Sequence, residues 1–172
     1  MAVVNLLSTA LSNIQSTTPQ VLNQPAFTGA QDWNAISLIT TGASDSNNST
    51  YRYIALPSNA IILDIECMNA GNTSGTSYEM GLFAYGGGAV LTNCAAVLIP
   101  AGTTMASARS VWTSLYFPAV TSGSASAANI GKRLWELAGL SSDPSVLYEA
   151  VVTAVTAGTA GGAMAFKFTW TR

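Results

Sequence analysis

The stretch Ala163-Met164-Ala165-Phe166-Lys167-Phe168-Thr169-Trp170-Thr171 alternates without a break. Met164, Phe166, Phe168 and Trp170 fall on one side, and Ala165, Lys167 and Thr169 on the other. That period of two belongs to a half-buried antiparallel strand. Val146–Thr156 reads as its hairpin partner across the Gly/Ala/Thr turn 157–162. Upstream, the same logic marks strands at Trp33–Thr40, Thr50–Leu56, Ala60–Met68, Tyr78–Tyr85 and Val111–Phe117. In Ala60–Met68, Ile61, Leu63, Ile65 and Cys67 form one face, and Asp64 and Glu66 the other.

The punctuation between these strands is regular. Loop 42–49 is rich in Ser, Asn and Asp, Pro57-Ser58-Asn59 stops one strand, 69–77 is a turn, and Gly86-Gly87-Gly88 ends another strand. Ala89–Ile99 is apolar and ambiguous between helix and strand, and Pro100-Ala101-Gly102 closes it. A Ser/Ala-rich loop covers 121–128. One helix is expected, capped by Asn129, with an apolar stripe of Ile130, Leu134 and Leu137 and Gly139 at C′. Short strands with turns every 8–12 residues define an all-β, jelly-roll-like antiparallel β-sandwich, with a closed barrel as the second choice.

Composition separates two parts of the chain. Only six basic and eight acidic residues occur among 172, there is no histidine, and residues 1–31 carry no ionisable side chain. A soluble monomer usually devotes about a quarter of its residues to charge, so part of this surface is expected to be covered in the working state. Residues 1–31 read as an extended N-terminal arm and 32–172 as the sandwich domain. Val4, Leu7, Leu11 and Ile14 follow a three- and four-residue spacing, which allows a short helix within the arm.

The arm lacks the basic leader of a secretory signal, and no run approaches the length of a membrane span. A net charge of −2 and scattered Lys and Arg leave no footprint for nucleic acid.

Without histidine, Ser-His-Asp triads, Cys-His pairs and His-ligated metals are excluded. Asp64 and Glu66, with Glu79 on a possible neighbouring strand, are the remaining acidic candidates for glycoside hydrolysis or Ca²⁺ binding. Their alternation with Ile61, Leu63 and Ile65 reads better as a solvated strand face. No catalytic residue, metal or cofactor is expected.

Gly86-Gly87-Gly88 lacks the Lys-Ser/Thr ending of a phosphate loop and reads as a hairpin turn. The sequons at Asn47, Asn48 and Asn72 are what chance gives in such a composition. Tyr51, Tyr53, Trp112 and Tyr116 fit core or subunit packing better than a glycan platform. Cys67 and Cys94 suit buried thiols, and a disulfide between them remains open. Lys132, Arg133 and Glu136 fall on the solvent side of the helix, with Lys132 and Glu136 at i,i+4.

The run Lys132-Arg133-Leu134-Trp135-Glu136-Leu137-Ala138-Gly139-Leu140-Ser141-Ser142-Asp143-Pro144, followed by Tyr148 and the final hairpin, resembles capsid decoration (cement) proteins of tailed bacteriophages. The opening Met1-Ala2-Val3-Val4-Asn5-Leu6-Leu7-Ser8, Thr50-Tyr51-Arg52, Leu56-Pro57-Ser58-Asn59-Ala60 and Met80-Gly81-Leu82-Phe83 are similar to the same group. The resemblance implies a non-enzymatic homotrimer on the outside of the virion head, bound to the major capsid protein and assembled in the host cytoplasm. The expected partner-binding residues are Val3, Val4, Leu6, Leu7, Leu11, Ile14, Val21, Leu22 and Phe27 of the arm, with Lys132 and Arg133 on the helix.

Overall fold

The computed structural model describes residues 5–7, 32–43, 45–70, 76–104, 108–115, 119–120, 124–125, 129–158 and 161–172. The strands are β1 (Asn5–Leu7), β2 (Asp32–Thr40), β3 (Thr50–Pro57), β4 (Ile61–Asn69), β5 (Ser77–Ala84), β6 (Ile99–Thr104) and β7 (Arg109–Ser114). Short β8 (Ala119–Val120) and β9 (Ser124–Ala125) precede the one-turn helix α1 (Leu134–Leu137), β10 (Leu147–Thr156) and β11 (Ala163–Thr171).

One sheet has the order β2-β11-β4-β7, and the other β3-β10-β5-β6 with β1 added beside β3. Apart from β1, the neighbours in both sheets are antiparallel. The chain crosses between the sheets along β2, β3, β4 and β5, again from β6 to β7, and again from β10 to β11. This double Greek-key winding is a jelly-roll β-sandwich.

The core lies between the sheets. From β11, Met164, Phe166, Phe168 and Trp170 are buried, and from β3, Tyr51, Tyr53, Ile54 and Leu56. Tyr53 meets Phe166 edge to face at 4.8 Å between ring centroids, which joins the two sheets through their aromatic rows. Tyr51 and Tyr53 therefore belong to the core and cannot form a glycan platform, while Tyr116 lies outside the described residues.

Three sequence expectations change in the tertiary setting. In β4, the register against β11 slips between Thr169 and Trp170, so that Asp64 pairs with Thr169 but Ile62 with Trp170. This bulge turns Ile62 inward and leaves Leu63 46% exposed, breaking the expected Ile61–Leu63–Ile65 face.

Pro100-Ala101-Gly102 does not end a strand but lies inside β6, at the edge of its sheet, where proline's missing N–H is tolerated. Most of the apolar stretch before it forms turns.

The helix begins later and is shorter than expected. Its first N–H groups are claimed by the 58–60 turn: Leu134 N donates to Ala60 O at 2.9 Å and Trp135 N to Ser58 O at 3.0 Å. Arg133, not Asn129, is the N-cap, and Ile130 is 68% exposed. Gly139 does hold the left-handed C′ position, with φ +73°.

Cys67 and Cys94 are free and fully buried. Burial pushes the Cys67 thiol up to about 12 and the Cys94 thiol up to about 11. Both are thus protonated and shielded at pH 8. A thiol reagent is expected to count two thiols in denaturant and none in the native protein within the same minutes. Fast native labelling of either thiol would contradict this packing.

Candidate functional site

The alternation that drives Phe166 and Phe168 inward turns Ala163, Ala165, Lys167 and Thr169 outward. Their neighbours are fixed by register. Ala165 lies between Leu38 and Met68, Lys167 between Ile36 and Glu66, and Thr169 between Asn34 and Asp64.

The outer face of the β2-β11-β4-β7 sheet therefore has two halves. In the polar half the groups satisfy one another: Lys167 Nζ pairs with Glu66, Thr169 Oγ1 donates to Asn34 Oδ1 at 2.7 Å, and Ser114 Oγ donates to Asp64 Oδ1 at 2.6 Å. Asp64 and Glu66 are thus engaged as surface polar groups. Glu79 lies in the other sheet, on β5, and cannot join them. Partial burial raises the pKa of its carboxyl.

The apolar half has no such closure. Ile36 is 61% and Leu38 55% exposed, and the small Ala163 and Ala165 sink the floor between Leu38 and Met68. The result is a shallow depression of about 370 Å³, whose far wall includes Arg109 and Asn69. Arg109 is held there, its Nη1 donating to Asn69 Oδ1 at 3.2 Å and its Nη2 to Thr104 O at 2.9 Å.

Strand β2 borders this half as the end strand of its sheet, and after Asp32 it carries no charge. Edge strands in monomers are usually blunted by charge or kept short. Here a nine-residue edge strand with its charge confined to Asp32 runs beside an apolar depression.

The other expected sites fall as follows. Lys132 Nζ donates to Asn129 Oδ1 at 2.8 Å rather than pairing with Glu136, whose Oε2 accepts from Arg133 N at 2.7 Å. Glu136 is thereby drawn to the helix start. Arg133 is exposed and Lys132 half-exposed. Of the arm residues, Leu6 is half-buried against the protein's own core, and Leu7 pairs with Arg52 in β3. Asn5–Leu7 is a strand, not part of a helix. Val3, Val4, Leu11, Ile14, Val21, Leu22 and Phe27 lie outside the described residues.

Among the described residues, no three His, Cys, Asp or Glu gather as a metal site, and no helix is long and apolar enough to cross a membrane.

Sequence reasoning missed a buried ion pair. Arg52 on β3 and Glu149 on β10 are 3% and 0% exposed and bonded to each other through Nη1 and Oε2. Glu149 Oε1 accepts from Gly86 N at 3.0 Å, and Arg52 Nη2 donates to Gly88 O at 2.8 Å. The triple-glycine turn is therefore a fixed lid on this pair, with positive φ at Gly86 and Gly87. One lone charge of each sign inside two otherwise apolar strands was the available signal.

Fold and face together define a jelly-roll sandwich with one outer sheet face that is half polar and half apolar. No protein-family model matches the chain, and no curated protein does. Among solved structures, a chain from the capsid of Ralstonia phage GP4 shares the fold. The TM-score is 0.53, with 98% of both chains covered, at 14% identity.

Proposed function

We propose that this protein is a structural virion component. It acts as a capsid decoration (cement) protein, binding the outside of the major capsid protein shell as a homotrimer and stabilising the head against internal DNA pressure. The observation that supports this most is the fold shared with a phage capsid chain over 98% of both lengths. A subunit that binds only the assembled shell stabilises that shell by linkage, and contacts from several subunits sum by avidity. The role needs no catalysis, cofactor, nucleic acid or membrane.

The apolar half of the outer face is assigned to the shell. The arm residues Val3, Val4, Leu11, Ile14, Val21, Leu22 and Phe27 add further contact, while Leu6 and Leu7 tie the arm to β3 and Lys132 and Arg133, near Ile61 at the opposite end of the sheet from the depression, contribute separately. An uncharged arm can be covered without burying unpaired ions.

Leu38→Lys tests the face. Leu38 is exposed, so stability should change by no more than about 0.5 kcal/mol. Burying an ammonium in the contact should weaken binding to heads that lack the protein by tenfold or more. Full occupancy and unchanged heat resistance of heads carrying this variant would remove the face from the interface. The same outcome after deletion of residues 2–30 would remove the arm.

A further inference from the structure

Strand β1 is an addition to the jelly roll, not a part of its winding. It pairs parallel to β3, through Asn5 with Thr50, Leu6 with Tyr51 and Leu7 with Arg52, whereas every other strand pair among the described residues is antiparallel. It is three residues long, and its anchor is Leu6, half-buried against the core. The body thus carries a built acceptor at the β3 edge: a row of backbone groups and an apolar seat that take a short extended segment.

That segment is joined to the body by residues 8–31, which contain no charged side chain. A connection of that length spans roughly 80 Å when extended, about twice the breadth of a domain of this size. Connections inside compact domains are usually about 4–6 residues.

We infer that the β3 edge is an exchange site between copies of this chain, and that in the oligomer it receives Asn5–Leu7 of a second copy. The contacts are the same whether the strand comes from its own chain or from a neighbour, so only the cost of closing the tether separates the two arrangements. A pairing of three residues with one half-buried leucine is weak enough to open and re-form readily. A long tether presents its own strand at about millimolar effective concentration, or less as it lengthens. Copies held side by side supply a competing strand at comparable concentration, and exchange then ties them together without any new interface chemistry. This deepens the homotrimer reading by naming the contact that joins subunits.

The test uses free full-length protein without capsids, so its outcome is separate from shell binding. Asn5→Cys and Thr50→Cys are made as two single variants, co-refolded, oxidised and resolved on a non-reducing denaturing gel. Exchange predicts a covalent adduct between the two variants, several-fold stronger than that between Asn5→Cys and a variant carrying Ile130→Cys on the exposed helix approach. It also predicts covalent oligomers from the double Asn5→Cys/Thr50→Cys protein. An internally bridged monomer from the double variant, with no adduct in the mixture, overturns the inference. Absence of both species overturns it as well, because β1 then does not occupy the edge.

Discussion

Glu149→Ala is expected to lower the unfolding free energy by about 3–5 kcal/mol, the cost of leaving one member of a buried ion pair alone. Glu149 is on β10, between β3 and β5 in the middle of its sheet, and is 0% exposed. Its carboxylate faces the Arg52 guanidinium and accepts the Gly86 N–H. Truncation leaves Arg52 buried without its carboxylate partner, though still donating to Gly88 O and lying over the Phe83 ring, 5.3 Å away. The 86–88 turn loses an anchor at the same time.

The double variant Arg52→Met/Glu149→Leu removes both ions and fills the space with apolar atoms. It should recover most of the loss, because the desolvation of two charges disappears together with their attraction. Urea unfolding of the two variants and the parent is the measurement. A cost below about 1 kcal/mol for Glu149→Ala would show that water reaches the pair and that it does not organise this side of the sandwich.

Phe166→Ala is expected to cost about 3–5 kcal/mol, through lost burial and the cavity left behind. Phe166 is fully buried on β11, flanked by Phe168 at 6.3 Å and met edge-on by Tyr53 of the facing sheet. Both sheets are paired along their strands, so neither can shift to fill the void without breaking register. Phe166→Leu keeps much of the volume and should cost less than half as much. Urea midpoints again decide. Equal losses for the Ala and Leu variants would point to the ring contact rather than the cavity, and a loss under 1 kcal/mol for the Ala variant would contradict the assigned core.

The fold was legible in the sequence because one signal repeats along it. In β11, every second residue is large and apolar and every other is small or polar, and a strand covered on one face can answer that pattern in only one way. The turns around Pro57-Ser58-Asn59 and Gly139 were equally local, fixed by backbone preferences of single residues. Where the expectation failed, the cause lay outside the segment. The bulge at Leu63 is set by pairing with β11, the start of α1 by carbonyls of the 58–60 turn, and the acceptance of Pro100 by its place at a sheet edge.

The candidate site divides in the same way. The exposure of Ile36 and Leu38 follows from alternation in β2, but nothing in that strand says which of its two faces meets the core. The depression exists because Ala165 is set between Leu38 and Met68, residues far apart in the chain. Composition and period alone define a sandwich of alternating strands, poor in charge and without histidine. Only the tertiary structure decided that Arg52 and Glu149 meet, that Tyr51 and Tyr53 are core, and that one sheet face is half apolar and open. Those outcomes depend on register between distant strands, and register is settled by the packing of the whole sandwich.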